Sequence, residues 1–365
     1  MIQQIINSPR VRDTIDSLPV NNRIVQFLRV LLKSILFRKR MILNHHIVFG
    51  GVEEISCRRN FGLGNGKNEV LVETLFTAIS PGTERGYYLE LPNFHQPRPY
   101  HPGYSGCGRV RTKGRVVVAL KKGDLVAGIF KHSSANILAG DQVVIVPPGV
   151  EPLYASFVTL GVIALTGIRS AGIEDGQKII VMGQGILGQL VNQLARIEGA
   201  RTVIAIALSE IKKDIAVKSG VDEFIALNQY QDELSSISAD VVIDITGSLK
   251  GFENALEIVK PGGRVVLLGS IPGYSHESNW AEKVIRKQIE VRGSHVRNLE
   301  VEGFTYEDEA RRFLQLLADK KLDMKPLITY IYKPEKAPEI YECLANNEKN
   351  MVGVVIDWGG DYVSG

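Results

Sequence analysis

Cysteine is scarce in this chain, and that scarcity settles several questions early. Its three cysteines, Cys57, Cys107 and Cys343, are odd in number and widely scattered, which suits a reducing compartment and excludes a cysteine-rich zinc lobe. Long apolar runs are missing too. The nearest approach, from Arg23 to Arg40, is broken by Arg29 and Lys33 well short of the ~20 residues that span a bilayer. No small-residue cleavage site follows it, so secretion is not expected and a cytoplasmic location is. Charge of one sign is also in short supply. A net charge of +3 is too small to argue for a nucleic-acid partner. What remains, 44% hydrophobic and 23% charged over 365 residues, is an ordinary globular composition with length for two cores.

The most informative segment is an apolar strand, Gln177–Met182, that runs into Gly183-Gln-Gly185-Ile-Leu-Gly188. In this Gly-x-Gly-x-x-Gly spacing Gly183 allows the tight turn, Gly185 the close approach of a pyrophosphate, and Gly188 the packing of helix on strand. Unpaired N–H groups at the helix start, with those of Ile186 and Leu187, favour phosphate. Leu187, Leu190, Val191, Leu194 and Ala195 then recur at helical spacing up to Gly199. A second strand over Thr202–Ile206, a helix opening at Ser209 and a strand over Asp240–Ile245 ending at Thr246-Gly247 follow. Pro261-Gly-Gly263 then leads into a strand that starts at Arg264 and ends at Gly269. Strands alternating with helices predict an α/β fold with a doubly wound parallel sheet.

From Met41 to Gly149 the pattern is different. Glu69–Phe76 alternates as a strand, a loop over residues 78–88 follows, and short apolar stretches separated by Gly and Pro include a strand at 136–146. Many short strands suggest a compact barrel-like β domain. Residues 1–40 stand apart as a basic, amphipathic N-terminal extension. The favoured readings are a helix folded on its own core or a tail ahead of the domain. Peripheral contact with an anionic membrane or a partner through residues 23–40 is the alternative.

The order of these pieces resembles the medium-chain dehydrogenase/reductase superfamily. The matching runs are Pro102-Gly-Tyr-Ser-Gly-Cys-Gly-Arg-Val110, Lys122-Gly-Asp-Leu-Val126, Val146-Pro-Pro-Gly-Val150, the cofactor motif, Val291-Arg-Gly-Ser294 and Met351–Trp358. The resemblance covers residues 41 to 358. It implies a Rossmann sheet plus a GroES-like β-barrel catalytic domain, with 41–160 and 296–365 forming the catalytic domain and 161–295 the dinucleotide-binding domain. It also implies a homodimer. Ser80-Pro-Gly-Thr-Glu84 resembles the bacteriochlorophyllide dehydrogenase-like subgroup, which implies a biosynthetic alcohol dehydrogenase.

The departures from the family pattern bear on mechanism. Zinc-bearing members hold their metal with a cysteine, a histidine and a third Cys or Glu; the matching positions here are Pro81, Pro102 and Thr159. Proline has no donor atom in its side chain and threonine is a poor one for zinc, so no metal is expected. His101, one residue from the second position, is read as a loop histidine. Without zinc, a substrate oxygen must be polarised by hydrogen-bond donors. Thr83 stands where relatives carry the proton-relaying hydroxyl, and Tyr87 follows it. These two are the expected catalytic residues, with Tyr104, Lys131 and His132 ranked below and Glu84 as an orienting group.

An acid at the end of the second cofactor strand would favour NAD; that position is Ala207, with Ser209, Lys212 and Lys213 just beyond. NADP(H) is therefore favoured over NAD(H), with Glu210 as a complication. The expected cofactor contacts are Gly183, Gly185, Ile186, Leu187, Gly188, Ala207, Ser209, Lys212, Thr246, Gly247 and Gly269. The activity implied is zinc-independent hydride transfer between nicotinamide and an alcohol or carbonyl small molecule. A quinone or enone reductase is the alternative, and a catalytically silent dinucleotide-binding protein is a third reading.

Overall fold

The computed structural model describes residues 23–37, 41–230, 237–269, 280–348 and 350–359. The first 22 residues of the expected extension and its basic run at 38–40 lie outside them. Helix α1 (Arg23–Phe37) is followed by a hairpin of β1 (Met41–Gly51) and β2 (Glu54–Leu63). The helix lies on that hairpin: Phe27 meets Phe61 edge-on at 5.1 Å, while Leu28 and Leu32 remain exposed.

Next come β3 (Glu69–Ile79), α2 (Pro81–Tyr88), β4 (Gly106–Lys113), β5 (Leu125–Gly128), β6 (Ala135–Ala139) and β7 (Val143–Ile145). Two local expectations change here. The loop after β3 is helical, because Pro81 sits in the first turn, where a missing N–H costs nothing and its fixed φ starts a helix. The strand expected at 136–146 is two strands separated by a helical turn at Gly140–Gln142.

Helix α3 (Val158–Ala171) leads into β8 (Lys178–Met182), α4 (Ile186–Ile197), β9 (Thr202–Ala207), α5 (Lys213–Lys218), β10 (Glu223–Ala226), β11 (Ala239–Asp244), α6 (Leu249–Ile258), β12 (Val259–Leu267), α7 (Trp280–Lys287) and β13 (Glu290–Gly293). The strands pair in parallel in the order β10-β9-β8-β11-β12-β13. β12 starts earlier than the glycines suggested: Pro261-Gly-Gly263 lies inside it, where pairing with β11 slips and Gly262 takes a φ of 74°.

Both faces of the parallel sheet are covered. Ile179 and Val181 of β8 join one apolar core with Leu190, Val191 and Leu194 of α4, while Ile180 and Met182 join another with Phe252 and Leu256 of α6. Alternate residues of one strand thus serve two layers, which defines a doubly wound sheet.

The chain closes with α8 (Tyr306–Ala318), β14 (Ile328–Tyr332), α9 (Ala337–Ala345) and β15 (Gly353–Asp357). β15 pairs antiparallel with β3, so the end of the described chain returns to the first sheet, whose order is β14-β15-β3-β4-β5-β7 with β6 also on β3. The fold is therefore a Rossmann sheet beside a GroES-like β domain, with a cleft between them.

Candidate active site

The cleft holds about 1360 Å³ and receives the carboxyl ends of the parallel strands on one side and α2 on the other. The sheet order reverses between β8 and β11, the place where open α/β sheets bind ligands. Gly183, with φ of 93°, turns the chain out of β8, and Gly185 caps α4 with no side-chain hydrogen bond to its first turn. A Cβ at Gly185 would meet nothing within 4 Å, whereas one at Gly188 would lie 2.0 Å from the Gly183 carbonyl oxygen. Gly185 therefore borders open space suited to a pyrophosphate, and Gly188 is the contact that seats α4 on β8. Gly183, Gly185, Ile186 and Leu187 line the cleft; Gly188 lies beneath it.

Further along the same wall, Ala207 ends β9 and is followed by Ser209 and Lys212, all on the cleft. Burial alone pulls the Lys212 ammonium below the ordinary lysine range. The Glu210 carboxylate engages Lys213 at 3.1 Å. Thr246, Gly247 and Gly269 complete this side. The Asp244 carboxylate accepts from both the amide and the hydroxyl of Thr246 (2.9 and 2.7 Å) and fixes that turn, while burial raises its own pKa. These residues fit a nicotinamide dinucleotide: backbone amides and an open approach for pyrophosphate, and an ammonium beyond the second strand.

On the opposite wall, α2 carries both Thr83 and Tyr87, one turn apart, and both reach the cleft. Tyr104 lies beside Ser80 and Thr83 on the cleft, and burial pushes its pKa up to about 12. Tyr87 packs its ring on Phe94 (5.4 Å) and Tyr100 (5.1 Å). Beneath α2, Glu84 is buried: Oε1 accepts from the Ser80 amide (2.9 Å) and Oε2 meets His132 Nε2 (2.9 Å) and the Tyr341 hydroxyl. His132 Nδ1 faces the Thr77 hydroxyl at 2.8 Å. His132 is thus enclosed behind the wall and not on the cleft, while Lys131 is on it, its ammonium 5.4 Å from the Tyr100 ring. His101 is exposed and packs against His46 at 5.0 Å.

The three positions that match metal ligands lie around this end of the cleft. Pro81 lines the cleft, Pro102 adjoins Gly103 and Tyr104, and Thr159 is tied to the same loop by its amide donating to the Ser105 hydroxyl at 3.1 Å. Two prolines and a threonine do not fit zinc. Among the described residues no group of three or more His, Cys, Asp or Glu is placed to hold a metal ion. In place of a third ligand, the Thr159 hydroxyl lies 2.8 Å from that of Tyr306, a residue that sequence reasoning missed. The one local signal was Thr305-x-x-Asp308, a capping box that starts α8 at Tyr306.

Residues 187–319 match the zinc-binding dehydrogenase family. L-threonine 3-dehydrogenase of Pyrococcus furiosus is 28% identical over 328 residues, covering 79% of this chain and 91% of its own length. L-galactonate-5-dehydrogenase of Escherichia coli is 24% identical over 334 residues, covering 80% and 92%. Among solved structures, a zinc-binding-dehydrogenase-type protein of Sinorhizobium meliloti bound to NADP superposes with a TM-score of 0.76 at 21% identity, over 87% of this chain and 99% of that one. L-idonate 5-dehydrogenase of Escherichia coli gives 0.75 at 18% identity over the same shares. With the glycine loop, the two-sheet architecture and the cleft between the sheets, these similarities support a place for the chain in the medium-chain dehydrogenase/reductase superfamily, as an alcohol dehydrogenase-like oxidoreductase.

Proposed function

We propose that this chain is a zinc-independent, NADP(H)-preferring oxidoreductase acting on an alcohol/carbonyl pair. The observation that carries the reading is the donor set at the head of the cleft. Pro81, Pro102 and Thr159 replace metal ligands, and hydroxyl groups gather where the metal would act. Nicotinamide dinucleotide, when bound, supplies the hydride chemistry. The chain's own part is to hold it and to manage the proton. The Gly183–Gly188 loop and the free first turn of α4 bind pyrophosphate. Ser209 and the half-buried Lys212 favour a 2′-phosphate, since Ala207 offers no carboxylate to the ribose and Glu210 is drawn to Lys213. Thr83, backed by Tyr104, presents a hydroxyl to the substrate oxygen, and Tyr87 shapes the wall beside it. Glu84 and His132 hold α2 from behind.

Residues 41–160 and 296–365 are taken as the catalytic domain and 161–295 as the dinucleotide domain, a division supported by the pairing of β15 with β3. The exposed edge strand β13, with Val291 and the nearby Ile285 uncovered, supports a homodimer formed along that edge. The test is titration of metal-analysed protein with NADPH and NADH, followed by a carbonyl and enone panel. Tight NADPH binding and carbonyl turnover without stoichiometric zinc support the reading. Turnover of enones alone shifts it to C=C reduction, and binding without turnover of any substrate shifts it to a silent binding protein.

A further inference from the structure

We propose that Tyr306 is a catalytic residue whose hydroxyl, held by Thr159, meets the substrate oxygen in the cleft that Thr83 also lines. The inference rests on the hydride-transfer reading above. Tyr306 comes from the first turn of α8, 147 positions along the chain from Thr159, and it lines the cleft as Thr159 does. Its hydroxyl has one described hydrogen-bond partner, the Thr159 hydroxyl at 2.8 Å. The Thr159 hydroxyl also donates to the Gly128 carbonyl over a much longer 3.4 Å. Either hydroxyl can donate in the 2.8 Å bond; when Thr159 donates, it gives up only the long contact to Gly128 and leaves the Tyr306 O–H to point into the cleft. Enclosure of the ring raises the phenol pKa, which keeps that proton in place at neutral pH.

The surroundings hold Tyr306 as a preorganised donor must be held. Directly before it, the Thr305 hydroxyl and the Asp308 carboxylate close a capping box, with Thr305 Oγ1 donating to Asp308 at 2.6 Å. Phe304 lies under the Arg169 guanidinium at 3.5 Å from the ring centre. Arg169 also bonds the buried Glu309 carboxylate at 2.7 Å. Farther along α8, Phe313 packs on Gly161, where a Cβ would come within 2.2 Å of its ring. Thr159, Gly161 and Arg169 all lie on α3, so one helix both positions the backbone around Tyr306 and supplies the hydroxyl that orients it. Two tyrosines, Tyr104 beside Thr83 and Tyr306 bonded to Thr159, thus line the same cleft as Pro81.

The chemistry balances without a metal. In the reducing direction the carbonyl carbon accepts a hydride with its electron pair from reduced nicotinamide, and the C=O π pair moves to oxygen. That oxygen takes the Tyr306 proton as the C–O(H) product forms, and the phenolate recovers a proton from cleft water. Thr159 is a positioning residue: it fixes the direction of the O–H and does not itself transfer the proton.

The experiment compares full-chain Tyr306→Phe and Thr159→Val with the parent in NADPH titration, thermal melting and steady-state reduction of a carbonyl panel. Tyr306→Phe is expected to keep NADPH affinity and melting temperature while kcat falls about 100-fold with little change in KM, the loss typical of removing one donor to a developing oxyanion. Thr159→Val is expected to lower kcat about tenfold through misorientation, and Thr159→Ser to restore it. A kcat for Tyr306→Phe within about threefold of the parent, in an active enzyme, overturns the proposal and leaves the proposed function standing. A parent that binds NADPH but reduces no carbonyl overturns both.

Discussion

Gly185 and Gly188 differ by three residues and should fail in opposite ways when alanine replaces them. At Gly188 a methyl group would sit 2.0 Å from the Gly183 carbonyl oxygen, in backbone that cannot swing aside. Real contacts of this kind do not fall below 3.0 Å, so α4 and β8 must separate by about 1 Å. Overpacking of that order costs about 1–3 kcal/mol, partly offset by the better helix propensity of alanine, about 1 kcal/mol. At Gly185 the backbone has φ of −75°, which any residue adopts, and the methyl group would meet nothing within 4 Å. Folding stability should therefore hold or rise by up to about 1 kcal/mol. The methyl group does, however, enter the space assigned to a pyrophosphate, and loss of one charge-assisted bond there is worth about 1.5–3 kcal/mol, or roughly 10–100-fold in affinity. Thermal melting and fluorescence titration with NADPH separate the two. Gly185→Ala should melt as the parent does and bind NADPH at least about tenfold more weakly. Gly188→Ala should melt lower by a few degrees. A Gly185→Ala protein that binds NADPH as tightly as the parent would refute the assignment of this loop to the cofactor.

Two further outcomes follow from the electrostatics. Lys212→Ala should weaken NADPH by about tenfold or more while leaving NADH within about twofold, because only the 2′-phosphate uses its charge; equal losses for both nucleotides would contradict the placement. His46 is buried against His101, and burial lowers its pKa from 6.5 to about 4, with His101, Arg58 and His45 adding to the effect. The unfolded chain takes up this proton below pH 6.5 and the folded chain only near pH 4, so stability is full above 6.5 and falls as pH drops between the two. At about 1.4 kcal/mol per pH unit the loss approaches 3.5 kcal/mol, and His45 and His101, lowered by burial as well, add in the same direction. Chemical denaturation at pH 4.5 and 7.5 checks this, with His46→Gln expected to flatten the dependence.

The glycine-loop wall of the cleft was legible in the sequence because its signals are local. Strand, glycines and helix follow one another within Gln177–Ile197, and the acid-versus-neutral choice at Ala207 is a single position. The substrate side was legible in its departures, the prolines at 81 and 102, but less so in what replaces them. Segment 81–88 reads as a loop through its Pro and Gly content, yet a proline in the first turn starts a helix and sets Thr83 and Tyr87 one turn apart. Tyr306 and Thr159 are separated by 147 residues, and Glu84 and Tyr341 by 257. No periodicity links such partners; only the packing of α8 on α3, and of α9 near α2, brings them together. The hairpin contact of α1 had a local cue in its apolar stripe, but nothing in the stripe names Phe61 as its neighbour.

Hydride transfer without zinc is tested most directly by measuring metal content and carbonyl-dependent NADPH oxidation on one preparation of the full chain, before and after treatment with a strong chelator. Substoichiometric zinc is expected, with turnover that chelation leaves unchanged. One tightly bound zinc per chain, with activity lost on its removal and restored on its return, would contradict a metal-free mechanism.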